Sequence, residues 1–169
     1  MTQQLHPGRH KHYKGGNYNV LGITKHIASG ELTVLYQPLQ GEEIHSFFNR
    51  PLMMFFEKVE GNETRFTLID LPSRPPFIVA AEHTPKDMEI VFGKYQDHEQ
   101  PETLYNLFGI SKHTETQEEV VVLQKLHHCQ AGRFICYPLA LWKSTFNRKR
   151  FLLLEQSSVP YLAELSIHD

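Results

Sequence analysis

Tyr18-Asn19-Val20-Leu21-Gly22-Ile23-Thr24-Lys25-His26 decides the fold, because the chain carries it twice. The stretch returns 87 positions on as Tyr105-Asn106-Leu107-Phe108-Gly109-Ile110-Ser111-Lys112-His113. Six of the nine residues are identical, so every functional question has to be asked of two units. Tyr18, Val20, Gly22, Thr24 and His26 fall on one face of an alternating pattern, and Asn19, Leu21, Ile23 and Lys25 on the other. That is strand periodicity, supported by β-branched residues. A mid-strand glycine ordinarily weakens a strand; its return as Gly109 predicts a bulge or a sharp bend.

Working outward, Ile27 to Glu31 reads as a turn and Leu32 to Leu39 as the partner strand of a hairpin. The second unit repeats this with Thr114 to Glu118 and Glu119 to Leu126. Pro38 places the end of the first partner strand at an edge or exit. An apolar strand from Phe47 stops at Pro51, and one helical turn follows that carries Leu52, Phe55 and Phe56 inward; Pro138 repeats Pro51 at the same offset. A last strand, Arg65 to Ile69, has its echo in Arg150 to Leu154. Upstream, Arg9 to Gly16 is a basic, aromatic approach ending in a Gly-Gly turn. Each unit therefore has about five short antiparallel strands and little helix, the pattern of a small, strongly bent barrel. So small a unit buries a modest core and gains from pairing with its twin.

The expectation is an all-β protein with two tandem barrels, the first over residues 1–71 (repeat core 9–69) and the second over 89–156. A proline-rich linker at 72–88 joins them, with Phe77 to Ala81 as a candidate docking strand. A tail at 157–169 carries a short helical stretch at Tyr161 to Leu165. Because the chain already pairs two units, a monomer suffices.

Composition narrows the function classes. Formal charge is −2, from 17 basic and 19 acidic residues, so no global basicity argues for nucleic acid. Eleven histidines make the charge sensitive to mild acid. Two cysteines make no disulfide framework, and the N-terminus lacks an apolar core, so a cytoplasmic location is expected. No run approaches the roughly 18 apolar residues of a membrane helix, and no membrane partner is expected.

Four segments carry a family resemblance. They are His12-Tyr13-Lys14-Gly15, the strand Tyr18 to His26, Tyr36-Gln37, and Arg50-Pro51-Leu52 with Met54-Phe55, Glu57 and Val59. Together they resemble the bacterial domain of unknown function family 1653, whose pattern runs Tyr-Arg-His-Tyr-Lys-Gly, a Val-x-Gly strand ending Ala-x-His-Ser/Thr-Glu-Thr, a Tyr-x-x-Leu strand, and Trp-Val-Arg-Pro-x-x-Met-Phe. The resemblance implies an SH3-like barrel per unit and supplies no activity. The first unit departs from the pattern at Ile27-Ala28-Ser29 and at Phe48. The second keeps His113-Thr114-Glu115-Thr116, but places Lys94 for His12, Gln96-Asp97 for Lys14-Gly15 and Tyr137 for Arg50.

The candidate ligand-binding residues are His12, Tyr13, Lys14, Lys25, His26, Tyr36, Gln37, Arg50, Lys112, His113 and Gln124. Lys25 and His26, like Lys112 and His113, point to opposite faces of a strand. The histidine is a general base, a ligand, or a cap on the hairpin through a backbone carbonyl. Arg50, beside His12, Tyr13 and Tyr36, suits a carboxylate or phosphate; the plainer alternative is an ion pair with Glu57 or Glu31. His6, His10 and His12 lack a fourth metal ligand, His127-His128-Cys129 reads as a surface loop, and Cys136 as a small buried hydrophobe. Lys143, Arg148, Lys149 and Arg150 form a dense cationic cluster, read as a solvated hairpin. No phosphate-binding glycine loop, nucleophile elbow or CxxC pair is present, and neither a cofactor nor a metal is expected.

The leading expectation is a non-enzymatic binding module for a protein segment, a nucleic acid or a small anionic ligand. The alternative is a hydrolase-like or nucleotide-processing accessory enzyme using His12 and His26 with Arg50.

Overall fold

The computed structural model describes residues 4–44, 46–70, 90–126, 134–144 and 149–157. The linker at 72–88 with its Phe77–Ala81 strand, His127-His128-Cys129, Arg148, and the tail from residue 158 with its 161–165 stretch lie outside the described residues.

The first half runs β1 (Gly8–His12), β2 (Asn17–His26), β3 (Leu32–Pro38), β4 (Phe47–Pro51), the single-turn helix α1 (Leu52–Phe55) and β5 (Phe66–Asp70). The second runs β6 (Gly93–Asp97), β7 (Leu104–His113), β8 (Glu119–Lys125), β9 (Phe134–Pro138), α2 (Leu139–Trp142) and β10 (Phe151–Gln156). The molecule is mostly β, with two short helices among the described residues. The hairpins, the proline-stopped strand and the helical turn fall where the alternation and Pro51 and Pro138 predict them. Strand β1 is a departure, because Arg9 to Gly16 reads as an approach segment. Its inward positions are Gly8 and His10, not aliphatic residues, so the period-two pattern is hidden in the sequence.

Within the halves, antiparallel pairing gives the orders β5-β1-β2-β3-β4 and β10-β6-β7-β8-β9. The halves do not close separately. Strand β4 pairs in parallel with β7, and β9 pairs in parallel with β2. The result is one closed six-stranded barrel, β2-β3-β4-β7-β8-β9, built from three strands of each half. The expected all-β barrel architecture is present, and its closure draws on both halves. Strands β3 and β8 explain why: nearly every residue in each is buried, so both faces are covered. The unbroken apolar run Val120-Val121-Val122-Leu123 is the composition of such a strand.

Covering both faces takes three cores. Val20, Val34, Tyr36, Phe55 and Phe66 pack within the first half. Tyr95, Tyr105, Leu123, Tyr137, Trp142 and Phe151 belong to a second cluster in the other half. Between them, Leu21, Leu35 and Phe47 meet Val122 and Phe134. Burying an aliphatic or aromatic side chain contributes about 1.5–3 kcal/mol, so this mixed cluster is a substantial part of what joins the halves.

The mid-strand glycines belong to that joint. The register slips between Val20 and Gly22 and again between Leu107 and Gly109, which is the expected bulge. A Cβ at Gly22 would sit 3.1 Å from the ring of Phe134, and one at Gly109 would sit 3.2 Å from the ring of Phe47. Each half removes a side chain to admit a phenylalanine of the other. Gly22 also has φ +155°, which L residues seldom adopt.

The strand register also corrects the match between the halves at their outer strands. Gly8 faces Val20 and Gly93 faces Leu107, so Asp97, not Lys94, stands where β1 has His12. Lys94 corresponds to Arg9, and the ion pair Arg9–Asp70 at 2.6 Å is matched by Lys94–Glu155 at 3.0 Å. Fully buried Asp97 accepts from Arg150 Nε at 3.1 Å and Nη2 at 2.8 Å, and from the Glu99 N–H at 2.9 Å. Arg150 is thereby turned onto an internal carboxylate and is no part of a solvated cluster. Burial alone would raise the Asp97 carboxyl, but the Arg150 fork and the backbone N–H groups of Glu99 and Gln100 outweigh it and hold it below its ordinary value.

Two outcomes follow. Gly22→Ala and Gly109→Ala should each lower stability by about 1–3 kcal/mol in urea unfolding, Gly22→Ala the more. A carboxyl depressed in the fold stabilises above its unfolded value and loses that contribution as pH falls through the folded one. Asp97→Asn should therefore be less stable at pH 7, while the loss of stability on acidification below about pH 4 becomes shallower than in the parent.

Candidate functional site

The recurring histidines end β2 and β7, where the closing strands bring the two halves together. His26 is buried, and its Nε2 lies 3.2 Å from Glu118 Oε2; its Nδ1 accepts from the Ser29 N–H at 3.2 Å and faces the Ser29 hydroxyl at 2.9 Å. The second half mirrors this. His113 Nε2 lies 3.1 Å from Glu31 Oε2, and its Nδ1 accepts from the N–H groups of Glu115 and Thr116 at 3.3 and 3.2 Å. A nitrogen that receives a backbone N–H carries no proton, so Nε2 keeps its hydrogen and donates it to the carboxylate. The histidine does cap its hairpin, through N–H groups and not through a carbonyl. It also bonds the hairpin of the other half, a link that no single unit reveals.

Beneath these histidines lies a buried polar group drawn from five strands. Asn49 Nδ2 donates to Thr24 Oγ1 at 2.7 Å and Thr33 Oγ1 at 2.8 Å, and Asn49 Oδ1 accepts from the Ser111 hydroxyl. Cys136 is buried beside them, 3.8 Å from Asn49 Nδ2, and burial pushes its thiol up to about 12. A thiol held so far above neutrality is inert as a nucleophile. Its apolar setting in the sequence agrees with that.

The arginine lies elsewhere, at an open cleft of about 300 Å³ along the β4–β7 junction. The first half contributes Tyr18, Tyr36, Phe48 and Arg50, with Pro38 at the end of β3 and Glu43 from the β3–β4 connection. The second contributes Lys112, Thr114 and Gln117. Arg50 is four-fifths buried and bonds Glu115 Oε1 through Nη1 at 3.3 Å, so its ion pair is with the opposite half, not with Glu57 or Glu31. Glu57 is held by Arg65 at 2.5 Å and Glu31 by His113. The buried Nε of Arg50 has no hydrogen-bond partner among the described residues. Burial raises the Tyr36 hydroxyl, and its hydrogen bond from Arg50 opposes that. Tyr36 and Phe48 stack at 6.0 Å with 28° between planes, and Tyr18 meets Tyr36 edge-on at 5.5 Å.

Of the residues proposed from sequence, the cleft unites Tyr36, Arg50 and Lys112. His12 and Tyr13 stand beside it as an aromatic continuation, with ring centroids 4.7 Å apart and His12 6.1 Å from Tyr18. Burial, then the charges of Arg65, Arg50 and Lys14, hold the His12 imidazole below its usual value. Lys14 lies over the Tyr13 ring at 5.6 Å. Lys25 is exposed on the β2–β9 side, and Gln37 and Gln124 are buried in the sheet; none of them lines the cleft. Sequence reading missed Tyr18, Phe48, Glu43, Thr114 and Gln117. Tyr18 stood in the opening stretch, and Thr114 in the retained His-Thr-Glu-Thr run, but nothing local says that the two halves share a wall.

The corresponding positions at the other junction are different. Tyr137 stands for Arg50 and Leu123 for Tyr36, and both are buried in the second core. The arginine cleft thus has no chemical equivalent there. Among the described residues, no group of three or more His, Cys, Asp or Glu side chains is placed to hold a metal ion, and no helix is long and apolar enough to cross a membrane.

Residues 8–68 match the family described as Protein of unknown function (DUF1653). The match covers the first half from β1 into β5 and includes Arg50 but not Lys112, Thr114 or Gln117. No curated protein and no solved structure matches the chain.

A double-mutant cycle tests the link between halves. His113→Ala and Glu31→Ala should each destabilise, and the pair should cost less than their sum by about 1 kcal/mol in denaturant unfolding.

Proposed function

We propose that the protein is a binding module whose cleft between two tandem SH3-like units takes a small anionic ligand. What carries this is Arg50: a largely buried guanidinium, paired through Nη1 with Glu115 but with an unpartnered Nε, in a cleft that exposed Lys112 and the rings of Tyr18, Tyr36 and Phe48 also line. A planar fork suits an oxyanion, and low solvent exposure strengthens the bond. The volume lies at the lower end of small-molecule sites, which favours a small ligand over a protein segment or a nucleic-acid strand.

The tandem reading rests on recurrence. Strands β2, β3 and β4 and helix α1 return 87 positions on as β7, β8, β9 and α2, and both halves share one strand order. The second unit is a diverged copy that has lost the arginine and become the opposite wall of the cleft. The enzymatic alternative has less support, because neither His12 nor His26 lines the cleft and both ring nitrogens of His26 are engaged.

Calorimetric titration of the full chain with inorganic phosphate, citrate and an acidic peptide tests the reading. Arg50→Ala should weaken the tightest of these by roughly ten- to a hundredfold and Lys112→Glu by about tenfold, the exposed Lys112 variant with thermal stability close to the parent's. Unchanged affinities in both variants would dismiss the cleft as the anion site.

A further inference from the structure

The reading of the cleft as an anion site leaves open what else the anion is attached to, and the lining bears on that. A carboxylate is a monoanion whose two oxygens are satisfied by one guanidinium fork. Here Arg50, whose Nη1 also bonds Glu115, is joined by a second cation, Lys112, and by the amide of Gln117, both from the second half. Gln117 spends one N–H on the Thr114 carbonyl at 2.7 Å, which leaves its other donor for the cleft. Two cations and a further donor suit a phosphate monoester, with three terminal oxygens and a charge approaching −2.

The wall that the first half builds around Arg50 is not made for a bare phosphate. Tyr18 and Phe48 are partly exposed at the cleft, and the aromatic row continues through His12 to Tyr13. Such rings supply faces and edges for a planar heterocycle. Glu43, from the β3–β4 connection, adds a carboxylate that would repel a simple anion but accepts hydrogen bonds from ring N–H or amino groups. Phosphate at one part of the ligand and a hydrogen-bonding ring at another describe a nucleotide unit.

We propose that the cleft recognises a nucleoside monophosphate group, either a free mononucleotide or the terminal nucleotide of a strand. Arg50 and Lys112 hold the phosphate, the rings of Tyr18 and Phe48, backed by buried Tyr36, take the base, and Glu43 reads a hydrogen on it. This rests on the anion-site reading, and the test separates the two.

Full-length ¹⁵N-labelled protein is titrated separately with AMP, UMP, inorganic phosphate, adenosine, benzoate and a 5′-phosphorylated tetra-adenylate, following the amides of Tyr18, Tyr36, Phe48, Lys112 and Gln117. At least one mononucleotide should shift these amides and bind at least about tenfold more tightly than phosphate, adenosine or benzoate. Arg50→Ala should abolish the effect, and Lys112→Gln, at an exposed position, should weaken the nucleotide several-fold without changing adenosine. Tighter binding of the tetra-adenylate than of AMP assigns the group to a strand terminus; equal or weaker binding assigns it to the free nucleotide. If phosphate or benzoate shifts the cleft amides as tightly as any nucleotide, the nucleotide inference is overturned and the anion site stands. If none of the six perturbs them, both fall.

Discussion

Two parallel strand joins, β4 with β7 and β9 with β2, are the constraint on which the rest depends. Each half is a meander whose fourth strand would otherwise present an unpaired edge, a liability for any small sheet. Parallel pairing across the halves satisfies both edges at once and closes a barrel from three strands of each half. The mixed core of Leu21, Leu35, Phe47, Val122 and Phe134, the phenylalanine–glycine contacts and the crossed histidine–glutamate bonds all exist because of that closure.

Closure also sorts the chemistry. The most strongly repeated residues, the glycines and the terminal histidines, hold the halves together and are largely consumed in doing so. Asn49 and Cys136, which occupy equivalent positions, face a shared polar interior with Thr24, Thr33 and Ser111. Of the cleft residues, Tyr18 and Lys112 have identical counterparts in Tyr105 and Lys25, whereas Tyr36 and Arg50 do not. Arg50 is the sharpest case, since Tyr137 in its place is packed against Trp142 and Phe151 in a closed core.

Much of this was legible in the sequence, and the missing parts have physical reasons. Alternation in Tyr18–His26, the proline stops and the repeat offset located the hairpins and helical turns. Arg50, Tyr36 and Lys112 were legible as candidates because they are basic or aromatic residues at strand ends. Partnering was not legible, because a repeat describes each unit and is silent on which edges meet. The ion pair of Arg50 was sought within its own unit, at Glu57 or Glu31, whereas Glu115 lies 65 residues away. The match of Lys94 to His12 failed for a related reason: the outer strands recur at an offset of 85, and only the ladder with β7 shows that Asp97 is the true counterpart.

The shared barrel has a consequence for how such a site arises. A polypeptide with only one of these units would have to borrow three strands from a second molecule to close, and the resulting dyad would stamp every feature out in duplicate. Any arginine placed for binding at one junction would then be repeated at the other, where it could not be exchanged for packing. Two halves within one chain need not be identical. One junction is filled by Tyr137 and Leu123, while the other has a charged opening. Covalent linkage here does more than hold two halves together: it lets a near-symmetric scaffold carry a one-sided cleft.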